Sequence, residues 1–324
     1  MGIFDKRQAF KPFEYPDIVG FKDAINHSYW LVSEFNFIAD VHDFNVKLSQ
    51  PEKNAIKNTL LAISQIEISV KRFWPGIGNR FPKAEFEQVG ITFGESEVRH
   101  SDAYSHLLQV LGLNDDFTML LQNPVIQGRV EYLTKYLKGA ADNSNENYTL
   151  TLALFSLFIE NVSLFSQFAI IKSFNKHRNL LKDIDNVVQA TQKEEEIHAL
   201  LGATIIRHIQ RENPGWFNDD FYAKLARASK KALEAECKII DWIFEDGELP
   251  FLPKDVLKEF IKQRFNESLV MIGAPEAFTV DQVKLESLRW FTEESLTDVA
   301  TDFFHKKPAT YSKMTQSITA EDLF

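Results

Sequence analysis

Residues 94–104 read GESEVRHSDAY. Positions three and four apart on a helix are stacked neighbours, so Glu97, His100 and Tyr104 share one face. The same spacing returns at residues 194–198, EEEIH, which places Glu195 and His198 on one face of a second helix. Two Glu-x-x-His motifs on separate helices form half of a carboxylate-bridged dimetal bundle, in which two further helices each add a carboxylate. The chain supplies both. Glu160 lies in LFSLFIENVSLF (154–165) and Glu67 in LLAISQIEISV (60–70). An unpaired carboxylate in such apolar surroundings is costly, and a pair of divalent metals removes the cost.

The expected ligand set is Glu67, Glu97, His100, Glu160, Glu195 and His198. Carboxylate and imidazole donors suit manganese or iron, and the lack of a thiolate argues against structural zinc. Taken singly, each motif has a plainer reading. A Glu-x-x-His pair can be a solvated surface pair, Glu195 part of a charged face, and a buried Glu the partner of a buried Arg. Their joint occurrence, in order, on four apolar helices favours the metal reading.

Helical periodicity dominates the rest of the chain, and no run alternates as a strand would. Helices are expected near 51–74, 83–111, 124–139, 148–175, 184–211, 219–246 and 253–273. Ser49 as N-cap, Pro51 in the first turn and Glu52 just after it mark the start of the first. The fold class expected is all-α: a helical bundle with additional helices. From Lys306 the chain reads KKPATYSKMTQSITAEDLF, without periodicity and rich in small polar residues, and a flexible tail is expected.

Bulk properties exclude several functions. The net charge of −10 disfavours binding to nucleic acid or to an anionic membrane surface. A single cysteine, Cys237, permits no internal disulfide and fits a reducing, cytoplasmic setting. The first residues, MGIFDKRQAF, have no long apolar run and do not read as a signal peptide. The most apolar stretch is interrupted by Glu160, Asn161 and Gln167, so no membrane span is expected. GIGN (76–79) lacks a preceding strand and the dinucleotide fingerprint, so no nucleotide site is expected.

From about Trp30 onward the chain resembles the β subunit of class I ribonucleotide reductase, the radical-generating small subunit with a ferritin-like fold. The most specific element is ESEVRHSDAY, in which Tyr104 stands where many members hold a stable tyrosyl radical. The resemblance implies further roles. Trp30 would connect to a metal-bound histidine through an acid, here Glu194, where members often have Asp. Tyr311, the only tyrosine of the tail, would relay an electron hole to the α subunit, and the terminal AEDLF would dock on that subunit. It thus implies a ferritin-like dimetal domain over 1–305 and a docking tail over 306–324. It also implies a homodimer, and activity in reducing ribonucleotides only together with α.

Members with a tyrosyl radical usually have Asp at the first ligand position, here Glu67. Thr191, one turn before Glu195, lies where it can hold the Tyr104 phenol. Lys71, one turn after Glu67, lies where a cation attracts an anionic oxidant such as superoxide. Together these resemble subclass d, which implies two manganese ions as cofactor and an unoxidised Tyr104; two iron ions or a mixed Mn/Fe pair are the alternatives. The competing functional readings are a non-radical ferritin-like dimetal oxidase and a metal-storage protein.

Overall fold

The computed structural model describes residues 2–120, 122–139 and 144–294. The segment 306–324, with Tyr311, lies outside them. Eight long helices dominate: α1 (Pro16–His27), α2 (Gln50–Val70), α3 (Ala84–Val110), α4 (Pro124–Gly139), α5 (Asn145–Arg178), α6 (Lys182–Glu212), α7 (Asp219–Ile243) and α8 (Lys254–Met271). Short helical turns join them, and among the described residues the only β feature is one isolated bridge, Leu249 to Leu252. The fold is an all-α, ferritin-like bundle.

Local chemistry sets the helix starts. Ser49 and Glu52 form the expected capping box at α2, with the Ser49 amide donating to Glu52 Oε2 at 2.8 Å. The Asn218 side chain accepts from the amides of Asp220 and Phe221, both at 3.1 Å, and caps α7. The α5–α6 turn is tight, with Asn179 and Leu181 both left-handed. It is held from outside. Asp43 accepts from the Leu181 amide at 3.2 Å and Asp40 from the Ile184 amide at 2.6 Å, so two carboxylates occupy the positive end of α6.

Helices α2, α3, α5 and α6 pack around one core, α1 lies along α3, and α7 and α8 cover the other side. Helix α5 is long and apolar enough to cross a membrane by length and composition, but its apolar window is wholly buried inside the bundle. Its middle, Leu154–Ser163, is a π-helix in which every residue is buried. A π segment loosens the backbone ladder, so its carbonyls need other donors. They have them: Ser268 Oγ serves Leu157 at 2.9 Å, Arg264 Nε serves Asn161 at 2.9 Å, and Arg129 Nη2 serves Ser163 at 2.5 Å. Gly202 of α6 meets this segment. A Cβ there would lie 2.1 Å from the Ser156 side chain, so only glycine lets α6 come this close.

Candidate metal centre

Each of the four core helices delivers its predicted acid to one point. Glu67 comes from α2, Glu97 and His100 from α3, Glu160 from the π segment of α5, and Glu195 and His198 from α6. All six side chains are buried. Two overlapping groups of potential ligand atoms result: Glu67, Glu97, His100 and Glu195, and Glu97, Glu160, Glu195 and His198. In each, the atoms lie within 4.8 Å of one another. Glu97 and Glu195 belong to both. Glu195 Oε1 is 3.0 Å from His100 Nδ1 and its Oε2 is 3.3 Å from His198 Nδ1. Glu97 approaches the same two nitrogens, at 3.8 and 3.2 Å.

The unmet polar atoms say what the site is built for. Both oxygens of Glu67, Glu97 and Glu195, and Nδ1 of both histidines, are buried without a hydrogen-bond partner. Leaving so many polar atoms unpaired is affordable only if something else binds them. Four carboxylates and two imidazole nitrogens converging on two neighbouring points fit a pair of divalent cations.

Without cations, protons must offset the crowded charge. Burial pushes the Glu67 carboxyl well above the ordinary range, and the charges of Glu97 and Glu160 push it further. Burial and the Glu160 charge raise Glu97, and burial with the Glu160 and Glu97 charges raises Glu195 strongly. Glu160 goes the other way. Burial presses its pKa up, but contacts with Glu195 and His198, and the Trp74 N–H, outweigh burial and lower it. Burial alone would lower His198, yet Glu160 and Glu97 hold its pKa at about 9.

Outer partners orient both histidines through the ring nitrogen that faces away from the acids. His100 Nε2 meets Glu194 Oε2 at 2.8 Å, and His198 Nε2 meets Ser96 Oγ at 3.0 Å. Such partners fix ring orientation and tautomer. Glu194 Oε2 also accepts from Trp30 Nε1 at 3.3 Å, and the Trp30 ring lies nearly parallel to the His100 ring, with 6.1 Å between centroids. The chain from Trp30 through Glu194 to His100 is therefore continuous, with glutamate as the linking acid.

Tyr104 is buried beside this group. Burial and the Glu67 charge raise its pKa well above the ordinary phenol value. The phenol oxygen forms no hydrogen bond of normal geometry. Thr191 donates its own proton to the Val187 carbonyl at 3.0 Å, so toward the phenol it can only accept. Lys71 stands just past the end of α2, half-buried, and forms no ion pair with another described residue.

Ser28, Trp74, Ser96 and Arg99 are partners that spacing alone does not reveal. Trp74 donates to Glu160 Oε1 at 3.1 Å from the turn that follows α2. Its approach requires Gly90 and Gly94 on α3, where a Cβ would fall 2.5 Å from the Trp74 carbonyl and 2.3 Å from the Pro75 ring. A pair of glycines one turn apart, just ahead of Glu97, was the available signal.

Comparison with known proteins agrees with this geometry. Residues 7–285 match the family described as ribonucleotide reductase, small chain. A probable ribonucleoside-diphosphate reductase small subunit of Invertebrate iridescent virus 3 is 28% identical over 322 residues, covering 95% of this chain and 85% of that protein. The ribonucleoside-diphosphate reductase subunit beta of Treponema pallidum (strain Nichols) is 21% identical, covering 97% of this chain and 90% of its own. Among solved structures, a putative class I ribonucleotide reductase from Bacillus halodurans superposes with a TM-score of 0.79 at 16% identity, over 86% of this chain and 99% of that one. An R2-like ligand-binding oxidase with a Mn/Fe cofactor shares the fold, with a TM-score of 0.67 at 18% identity over 80% of this chain and 94% of the other. Matched over most of its length, and carrying the two Glu-x-x-His motifs of a dimetal bundle, the chain belongs to the ribonucleotide reductase small-chain family, a family of oxidoreductases.

Proposed function

We propose that this chain is the radical-initiating subunit of a ribonucleoside-diphosphate reductase, active only with a large α subunit. The observation that carries this reading is the buried connection Trp30–Glu194–His100. A metal centre that acts only on a substrate bound beside it has no need of an indole hydrogen-bonded, through one carboxylate, to a ligand histidine.

Glu67, Glu97, His100, Glu160, Glu195 and His198 would hold two metal ions, and Glu97 and Glu195 belong to both groups of ligand atoms. A metal pair held there would supply a one-electron oxidising equivalent drawn from an oxygen-derived oxidant. The protein does the remaining work. The Phe-rich interior, with Phe93 against His198 and Phe155 against Trp74, keeps water from the site. Glu194 joins His100 to Trp30, and Trp30 passes the hole toward the surface. Tyr311 in the tail over 306–324 receives it and delivers it to a cysteine of α, while the AEDLF end docks there. The domain over 1–305 acts as a homodimer in the cytoplasm.

We favour two manganese ions, as in subclass d, over two iron ions or a Mn/Fe pair. Glu67 as first ligand, with Thr191 and Lys71 one turn from ligands, supports this preference. In this reading Lys71 attracts superoxide by its charge, Thr191 stands beside the Tyr104 phenol, and Tyr104 stays unoxidised.

The second reading, a non-radical dimetal oxidase, rests on the fold shared with the R2-like ligand-binding oxidase. Deleting the residues after Lys306 separates the two. The radical-subunit reading expects loss of ribonucleotide reduction in the presence of α, with two metals per chain retained. Full ribonucleotide reduction by the truncated chain overturns the tail's role. An oxidase activity that needs no α supports the second reading.

A further inference from the structure

The geometry points to Arg99 as the residue that positions Glu194, and through it the metal-facing nitrogen of His100. This rests on the reading of His100 as a metal ligand.

Glu194 is fully buried and has a long side chain with three rotatable bonds. One oxygen must face His100 and Trp30 together, at 2.8 and 3.3 Å. Two neutral donors do not restrain a glutamate against rotation. Arg99 does, because its guanidinium takes both oxygens: Nη1 to Oε2 at 3.2 Å and Nη2 to Oε1 at 3.1 Å. Such a fork fixes the plane of a carboxylate as well as its place. Ser28 Oγ is a fourth partner, reaching Oε1 at 3.2 Å.

Arg99 is itself held from three sides. Its Nε donates to both oxygens of the half-exposed Glu95, at 2.9 and 3.1 Å. Its guanidinium sits 4.6 Å from the Tyr29 ring centroid, and Nη1 reaches the Trp30 carbonyl at 3.4 Å. The clamp therefore joins the Trp30 segment, α3 and α6. Arg99 precedes His100 in the chain, so the helix that presents the ligand also presents the group that braces its partner. His198 has a lighter support, the single hydroxyl of Ser96. The two metal positions thus differ in how firmly their histidines are held.

The positioning role makes the effect of Arg99 local to one metal. The test is titration of the metal-free full chain with Mn(II), read as free Mn(II) by electron paramagnetic resonance, together with thermal unfolding of the metal-free chain. In Arg99→Met, one of the two equivalents is expected to bind about tenfold more weakly and the other as in the unsubstituted chain. Arg99→Lys keeps the charge and loses the fork, and is expected to weaken the same equivalent. In the double variant Arg99→Met with Glu194→Ala, affinity is expected to match Glu194→Ala alone, because an effect transmitted through Glu194 vanishes with it.

Several results overturn the proposal. One is a lowered melting temperature in Arg99→Met with both affinities unchanged, which marks a purely structural residue. Another is Arg99→Lys binding both equivalents normally, which assigns the effect to charge. A third is losses that multiply in the double variant. Failure of the unsubstituted chain to bind two Mn(II) ions instead refutes the dimetal reading, and so is distinguishable from failure of the Arg99 role.

Discussion

Trp74 and Glu160 are joined by one hydrogen bond, indole Nε1 to Oε1 at 3.1 Å, which ties the turn after α2 to the π-helical segment of α5. The bond stabilises the charged form of a carboxylate that burial alone would keep protonated. Trp74→Phe keeps most of the apolar contact with Phe93 and Phe155 and removes only the donor. The expected cost is about 1–3 kcal/mol of stability in the metal-free chain, from a buried acceptor left short of a donor. Urea unfolding measures it. A metal supplies what the indole supplied, so two equivalents of Mn(II) should recover much of the loss. A variant as stable as the unsubstituted chain without metal would show that the bond contributes nothing.

Gly202 faces Ser156 where a Cβ would lie 2.1 Å from its side chain. The atoms met are Ser156 Cβ and Oγ, and the Cβ is fixed to the α5 backbone, so rotating the side chain does not relieve the clash. Gly202→Ala is expected to destabilise the fold by about 1–3 kcal/mol through overpacking. Ser156→Gly in the same chain should return most of it by vacating the space. Denaturant midpoints of the single and double variants check this, and a double variant no better than the single one rules out the steric account.

The ligand positions are legible in the sequence because helical spacing converts order directly into direction, and because an acid in an apolar helix needs a cause. Glu67, Glu97, His100, Glu160, Glu195 and His198 meet at one point for that reason. The Trp30–Glu194–His100 connection, which the family resemblance implies, closes with a glutamate. Other features escape for physical reasons. The π segment Leu154–Ser163 is buried on every side, so no polar face reveals the change of helical phase. Helix α1 (Pro16–His27) is absent from the expected elements although it buries Ile18, Phe21, Ala24 and Ile25 at helical spacing, because it spans only 12 residues between irregular segments. Lys71, counted one turn beyond Glu67, is the C-cap of α2 and keeps right-handed helical backbone angles. Trp74 sits in a turn, where spacing predicts nothing about direction. Glu52 shows how local the readable signals are, since its capping box needs only three residues of sequence.

The metal-free chain should lose stability as the pH rises, and metal should cancel the loss. Glu67, Glu97 and Glu195 have raised folded pKa values, so the folded chain retains protons that the unfolded chain has released above about 4.5. His198 acts with the same sign, with its folded pKa pushed up to about 9 from an unfolded 6.5. Raised groups stabilise fully below their unfolded pKa and lose that contribution as pH climbs through the folded one. Glu160 and Glu194 are lowered instead, but their contribution is already complete above the ordinary carboxylate range and adds no slope there. Each extra proton held by the fold gives a slope of about 1.4 kcal/mol per pH unit. Urea midpoints without metal should therefore fall between pH 6 and pH 8.5. Mn(II) displaces the protons, so its affinity rises over the same range and the midpoint should level or climb. A metal-free midpoint that rises with pH contradicts the arrangement of charges described.

Tyr104 offers the sharpest test of the chemistry, because its hydroxyl is buried and forms no hydrogen bond of normal geometry. Removing a hydroxyl that satisfies nobody should cost little, so Tyr104→Phe is expected to fold with stability within about 1 kcal/mol of the unsubstituted chain. Stability is then not a confounding factor, and activity reports on the radical role alone. If the metal pair holds the oxidising equivalent, the variant keeps ribonucleotide reduction with α, and the activated chain shows no sharp tyrosyl signal by electron paramagnetic resonance. Trp30→Phe is the contrasting substitution. It retains an aromatic ring against His100 but removes the N–H that Glu194 accepts, and it is expected to lower activity by about a hundredfold or more while two metals still bind, since a broken relay affects transfer and not loading. Tyr104→Phe losing both activity and a tyrosyl signal would place the radical on Tyr104. The same loss without any tyrosyl signal in the unsubstituted chain would assign the phenol a role in activity other than that of radical carrier.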